Sequence, residues 1–396
     1  MEEKSDILIV GAGQAGSYAA IALRQQGFTG SITMVGEETH FAYERPPLSK
    51  EYFHGEKSFE RLQIRPQAFW ADKAISLITN ERVVAVDPVA HRATTDKGRE
   101  IEYETCIWAT GGQPRRLTCQ GADLQGVYGF RTREDADAIL AHIQKIEHVV
   151  VIGGGYIGLE SAAALIKKGK KVTLLEAGQR VLARVAGEAV SHYFEGIHRG
   201  KGVDLRVNVG IDQLVGTDHV QAVRLTSGEE IPCEMVIVGI GIIPAVEPLL
   251  AAGAKGGNGV EVNAHCQTSL PDIYAIGDCA LHYNNFAHGA AIRLESVQNA
   301  NDQATIAAKA ITGKAVAYES LPWFWSDQYD IKLQTVGLSI GYDDTVVKGD
   351  PSSHNFAVFY LRDNRLIAVD CINSAKDFVL GRKLILAKAD RAELSV

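Results

Sequence analysis

The 396-residue chain has no cysteines at CxxC spacing; its six, Cys106, Cys119, Cys233, Cys266, Cys279 and Cys371, are scattered. A chain this long needs no covalent staples, so the usage reads as that of a protein kept in the reduced cytoplasmic compartment. Long apolar runs are missing too. None reaches the ~18 residues of a membrane-spanning helix, and the opening Met1-Glu2-Glu3-Lys4-Ser5-Asp6 lacks the basic flank and apolar core of a secretory signal. Positive charge is not in excess: 40 Lys+Arg against 48 Asp+Glu give a net charge of −8. That balance excludes the global basic field by which nucleic acid or anionic lipid would be held. Proline is scarce at 11 residues whereas glycine is abundant at 39, above the usual ~7%, so the surplus is not low-complexity linker. Something in this chain needs backbone without side chains. At roughly 150 residues per domain, the length predicts two to three domains.

The glycines fall in a long-range repeat. Residues 7–37 read strand, glycine turn, helix, strand: ILIV, then Gly11-Ala12-Gly13-Gln14-Ala15-Gly16, a helix to Gly27, and Ile32-Thr33-Met34-Val35. The pattern returns at residues 149–176, where Gly11, Gly13, Gly16 and Gly27 recur 142 positions later as Gly153, Gly155, Gly158 and Gly169. In such a unit the first glycine permits the tight turn out of the strand, the second lets backbone approach a pyrophosphate, and the third lets helix and strand pack closely. The phosphates meet free N–H groups and the positive end of the helix dipole. An acid follows each second strand, Glu37 or Glu38 in the first copy and Glu176 in the second, where a carboxylate can accept hydrogen bonds from a ribose diol. Two copies suggest two dinucleotides, a resident flavin and a visiting nicotinamide. Glu176 favours NADH over NADPH, because a carboxylate about 4 Å from a 2′-phosphate costs on the order of 4 kcal/mol per unit charge. Arg180 and Arg184 lie near enough in sequence to offset part of that repulsion.

Three further segments extend the pattern: Ile107 to Gly112, a buried strand and glycine bend; Thr268 to Asp278, a strand ending in Gly277-Asp278; and Glu44-Arg45-Pro46-Pro47-Leu48-Ser49-Lys50. With the paired loops they resemble the two-dinucleotide-binding-domain flavoprotein reductases. ERPPLSK, FRTREDAD, VVIGGGYIGLE, RLESVQNA and PWFWSDQYDIKLQTVG then resemble the putidaredoxin reductase type of ferredoxin reductase, which serves bacterial haem monooxygenases and ring-hydroxylating dioxygenases, essentially end to end. The resemblance implies an α/β fold with two Rossmann-like dinucleotide-binding domains in glutathione-reductase-like architecture, plus a C-terminal α+β domain. An FAD domain would span 1–112 and 245–320, an NADH domain 113–244, and the last domain 321–396. For FAD, the resemblance implies Gly11, Gly13, Ala15 and Gly16 at the pyrophosphate and Glu37 at the ribose. Lys50 would lie against the isoalloxazine, with Val83, Arg131, Gly277, Asp278 and Val297 nearby. For NADH it implies Gly153, Gly155, Ile157, Gly158, Glu160, Glu176, Arg184 and Gly241, with Glu295 and Trp323 on the nicotinamide side. Lys50 and Glu160 are the implied catalytic pair: a lysine near the reduced ring stabilises electron-rich flavin, and a buried carboxylate spares it an unpaired charge.

The remaining chemistry-bearing residues read more plainly. Cys279 is a small apolar filler, His282 and His288 have no metal-ligand spacing, and at least half of the cluster Trp323, Phe324, Trp325 and Tyr329 is core packing. The stretch from His40 to Tyr52 contains no cysteine, so electrons leave for an external acceptor and not through a thiol pair. The expected acceptor is a [2Fe–2S] ferredoxin, steered by basic residues such as Arg382, Lys383 and Lys388. An NADH oxidase or peroxidase, and a redox-sensing protein of the apoptosis-inducing-factor kind, are the alternatives.

Overall fold

The computed structural model describes residues 3–394. They form two compact units from interleaved stretches of chain. One contains the residues up to Glu44, Phe59–Gln113 and Ile243–Phe324; the other contains Arg45–Ser58, Pro114–Ile242 and the residues from Trp325 on. Among the described residues no helix is long and apolar enough to cross a membrane.

In the first unit, β1 (Glu3–Val10) leads through the first glycine turn into α1 (Gln14–Gln25) and back to β2 (Ile32–Val35). Ile7 to Val10 are all buried, as expected of a central strand covered on both faces. The sheet runs Ile75–Ile78, β2, β1, Glu100–Trp108 in parallel, with Ile273–Ala275 beside the end of Glu100–Trp108 and an antiparallel pair, Val83–Asp87 and Arg92–Thr95, beside its start. The strand expected over Thr268–Asp278 is thus confined to Ile273–Ala275. Pro271 has no N–H to give a ladder, and Asp272 sits at φ +54°. The helix Val297–Ile311 packs on α1 through small residues, with Ala19, Ala20, Ala304, Ala307 and Ala308 all in one buried cluster.

The second unit repeats the theme with β3 (His148–Ile152), α2 (Tyr156–Lys167) and β4 (Lys171–Leu175) in a five-stranded parallel sheet, ordered Asp204–Arg206, β4, β3, Met235–Val238, Val127–Tyr128. Helix α3 (Glu188–Gly200) follows. The helix Arg133–Ile143 starts on a reciprocal cap, in which Thr132 accepts from the Asp135 N–H and Asp135 accepts from the Thr132 N–H. The FRTREDAD segment is therefore partly a folding signal. The chain ends in a five-stranded sheet, ordered Trp323–Gln328, Ile331–Gly337, Arg365–Ile372, Asn355–Arg362, Asp344–Asp350, with α4 (Ala375–Leu386) on it. Gly381 lets α4 approach, since a Cβ there would stand 2.8 Å from Val369 Cγ2.

Candidate functional site

The two glycine turns have one geometry. Gly11 and Gly153 sit at φ +108° and +109°, and a Cβ on either would fall 2.4 Å from a carbonyl oxygen, of Ala109 and Gly239 respectively. A Cβ on Gly16 or Gly158 would fall 1.9 Å from the carbonyl oxygen of Gly11 or Gly153. The first and third glycines are thus demanded by the protein's own packing. The second is not: a Cβ on Gly13 or Gly155 would meet nothing within 4 Å. Each is the N-cap of its helix with no side-chain cap, so the helix N–H groups face an open backbone concavity of the kind that takes a pyrophosphate. Both loops fit a dinucleotide.

The acids are held differently. Glu176 accepts from the backbone N–H of Gly154 through Oε2 and of Gly178 through Oε1, both at 2.6 Å. Glu37 is exposed and accepts from Gln113 Nε2 at 2.7 Å, whereas Glu38 Oε2 accepts from the Tyr43 hydroxyl at 2.5 Å. Of the two arginines near Glu176, Arg180 donates to the carbonyls of Ala183 and Ala186 and to Ser191 Oγ. Arg184 is exposed, and its guanidinium lies 3.5 Å from where a Gly241 Cβ would be.

Around the first loop, buried Ala15 meets Gly277, whose Cβ would lie 3.0 Å from the Ala15 methyl. Gly277 takes φ +77° and gives its N–H to Gln303 Oε1 at 2.8 Å. The Asp278 carbonyl accepts from Arg293, which also pairs with exposed Glu295. Val297 is the first residue of its helix, behind the Ser296 cap, and Trp323 gives its N–H to Gln298. Val83 is buried in the layer with Leu8, Val10 and Val35. In the second unit, Ile157 is 44% exposed in the first turn of α2, and the Arg131 carbonyl accepts from Arg45.

Lys50 and Glu160 meet. Pro46–Ser49 forms a short 3₁₀ turn started by its prolines, and it delivers Lys50 Nζ to Glu160 Oε2 at 2.5 Å and to the Pro46 carbonyl at 3.2 Å. Glu160 is only 5% exposed. Its other oxygen accepts from Ser326 Oγ at 2.7 Å, and Ser49 Oγ adds a donor at 3.2 Å. Three donors on one carboxyl hold it still and fix the lysine beside it in place. Ser326 went unnoticed in the sequence. It alternates with Gln328 on the buried face of an aromatic-rich strand, and two polar residues on such a face are the signal. All six cysteines are free thiols; burial pushes Cys279 up to about 11, so it stays protonated.

A family model for pyridine nucleotide-disulphide oxidoreductases matches residues 5–304, and one for the reductase C-terminal domain matches 323–395. The chain is 52% identical, over 98% of its length and 96% of the relative's, to the ferredoxin reductase subunit of a 5,5'-dehydrodivanillate O-demethylase from Sphingobium sp.. It is 40% identical to a putidaredoxin reductase of Pseudomonas putida, covering 97% of this chain and 92% of that one. Among solved structures it is similar to a covalent putidaredoxin reductase–putidaredoxin complex, with TM-score 0.93, 39% identity and coverage of 98% and 93%.

Proposed function

The chain belongs to the pyridine nucleotide-disulphide oxidoreductase family, in its putidaredoxin reductase type, and from that premise we propose that it is an NADH-dependent ferredoxin reductase of an oxygenase system. Membership makes it an FAD enzyme that uses NAD(P). The observation that carries the reading is the duplicated loop, twice demanding its outer glycines and twice leaving the middle one open. Bound FAD supplies the passage from a two-electron donor to a one-electron acceptor.

The protein's residues bind, orient and hold charge. In this proposal 1–112 with 245–320 is the FAD domain, 113–244 the NADH domain and 321–396 the C-terminal domain. Glu37 is assigned the flavin-side ribose over Glu38, supported by its greater exposure, both acids already accepting one side-chain bond. NADH is assigned over NADPH, supported by the carboxylate at Glu176 and by Arg180 being engaged elsewhere. Lys50, backed by Glu160, supplies fixed positive charge toward the ring. Six free cysteines support a reduced, cytoplasmic setting. Arg382, Lys383 and Lys388 are exposed on or just after α4, alongside Val379 and Leu386 at 52% and 61% exposure. A cationic rim around apolar contacts suits an acidic ferredoxin.

Stopped-flow mixing tests the reading. NADH bleaches the visible flavin band at least about tenfold faster than NADPH, and cytochrome c turns over only when a [2Fe–2S] ferredoxin is added. Efficient turnover with oxygen alone would establish an oxidase. Slow bleaching with a long-lived charge-transfer band would establish a redox sensor.

A further inference from the structure

Ser326 is the first of a line of buried polar side chains running away from Glu160. Gln328 Nε2 lies 3.2 Å from Ser326 Oγ, and Gln328 Oε1 lies 2.9 Å from His198 Nε2. His198 Nδ1 lies 3.1 Å from the Tyr329 hydroxyl. Ser326, Gln328 and His198 are each 1% exposed or less. Apolar residues of similar size would fill that space at lower cost, since each buried polar group must be hydrogen-bonded to be tolerated. Packing alone does not account for them.

Chemistry fixes the direction of every bond. A carboxylate oxygen only accepts, so the Ser326 hydroxyl donates to Glu160 Oε1. Its single proton is then used, and its oxygen accepts from the Gln328 NH₂. The Gln328 carbonyl is left to accept, so His198 carries its proton on Nε2. In the neutral ring Nδ1 is bare and takes the Tyr329 proton. Turning the Gln328 amide over would set a carbonyl against a hydroxyl with no proton left for it. Burial pushes His198 down to about 4, which keeps the ring neutral around pH 7. Lys50 lies on Glu160, the Lys201 ammonium sits 5.5 Å over the Tyr329 ring, and Tyr156, one turn before Glu160, bonds to Thr335 and faces Asp370.

We propose that Tyr329, His198, Gln328 and Ser326 form a one-directional chain of hydrogen-bond donors that fixes Glu160 as the anionic partner of Lys50, making Ser326 and Gln328 positioning residues for the lysine that faces the cofactor. The proposal rests on the cofactor role assigned above to Lys50. Each donor polarises the next, so the last bond, on Glu160, is stronger than an isolated serine would make it. All four residues act through Glu160.

Two measurements on the holoenzyme test it. In ¹⁵N-histidine-labelled protein, with His198→Gln used for assignment, His198 shows a neutral Nε2–H ring from about pH 5.5 to 8.5, in keeping with its lowered pKa. An Nδ1–H or charged ring at pH 7 would overturn the chain. In stopped-flow, Ser326→Ala slows flavin reduction at saturating NADH about tenfold, the size of one charge-assisted hydrogen bond, with NADH affinity within about twofold. Ser326→Thr, which keeps the hydroxyl, restores the rate, and Gln328→Met falls between them. If Ser326→Ala and Ser326→Thr lower the melting temperature alike and leave the rate alone, the residues are structural and the proposal fails. Lys50→Met separates the two readings. A slow Lys50→Met beside a normal Ser326→Ala removes only the donor chain, whereas a normal Lys50→Met removes the cofactor role of the lysine and the proposal with it.

Discussion

At the position just after its second strand, the first glycine unit has Gly36 and the second has Glu176. The registers make these equivalent: Val10 pairs with Val35 as Ile152 pairs with Leu175. The loop residue facing that position differs in the opposite sense, Ala12 in one and Gly154 in the other. A Cβ on Gly36 would stand 2.6 Å from the Ala12 methyl, and one on Gly154 would stand 3.2 Å from Glu176 Cβ and 3.0 Å from its Oε2. Each unit therefore has room for one side chain across this gap. The second unit gives it to the acid, which then takes two backbone N–H groups; the first gives it to Ala12, and its acid moves on to Glu37, exposed and held by a side-chain amide. One backbone design thus makes two unlike sites through an exchange of a single methyl. The difference continues along the helices: 142 residues before Glu160 stands Tyr18, packed against the apolar core. The carboxylate of the proposed Lys50–Glu160 pair therefore comes from the helix of the second copy and has no counterpart in the first.

The largest effect should come from what the copies share. A Cβ on Gly16 or Gly158 meets a backbone oxygen at 1.9 Å, which no rotamer change can relieve. Gly16→Ala is expected to purify without flavin absorbance. Gly158→Ala should keep its flavin but bind NADH about a hundredfold more weakly, matching the ~3 kcal/mol upper range for overpacking. The opposite pattern, flavin lost from Gly158→Ala and kept by Gly16→Ala, would reverse the assignment of the two loops. This shared part was also the most legible in the sequence. Glycine spacing is local, it recurs at one offset, and backbone clashes leave no other residue for those positions. The Lys50–Glu160 pair came only by resemblance, because its partners are 110 residues apart and no periodicity links them. The line beyond Ser326 depends on the Gln328–His198 bond, between residues 130 apart, and no sequence pattern joins them. The exchange between Ala12 and Gly36 is written in the sequence, but only the sheet register shows which residues face each other.

Next in size is a difference in what stands behind each loop. Gln14, the first residue of α1, bonds to Asn301 at 2.9 Å, two neutral amides. Its counterpart Tyr156 faces the buried Asp370, which accepts from Thr335 Oγ1 and the Tyr360 hydroxyl at 2.7 Å each; Tyr360 in turn accepts from the Gly187 N–H. Burial pushes Asp370 up from 3.8 to about 6. The folded state then holds this proton more tightly than the unfolded chain. Its contribution to stability is full below about pH 4 and is lost as the pH rises through 6, on the order of 3 kcal/mol across that window. Relative to wild type, Asp370→Asn should gain stability from about pH 4 to 6 and level off above that in denaturant titrations. Parallel curves for the two proteins would mean that the carboxyl is already ionised at pH 4 and that the second loop has no acid-sensitive backing.

The smallest effect tests the exchange itself. Gly36→Ala forces two methyl carbons to 2.6 Å and should destabilise the fold by about 1–2 kcal/mol. Ala12→Gly alone costs less than about 1 kcal/mol of added chain entropy. Combined, they should be more stable than Gly36→Ala alone, with a coupling of about 1 kcal/mol between neighbours in direct contact. In the second unit the gap is already filled by an acid. Gly154→Ala has no second glycine to rescue it, and its methyl would press on Val181 Cγ1 at 2.9 Å as well as on Glu176. The carboxylate would move off the Gly154 N–H, and NADH affinity and the preference over NADPH should both fall a few-fold, with flavin content unchanged. Additive energies in the first cycle would remove the contact as the reason its acid sits one residue later. Additivity there with an intact Glu176 effect in Gly154→Ala would place the cause in the ribose itself, which only the second carboxylate then meets from directly after the strand.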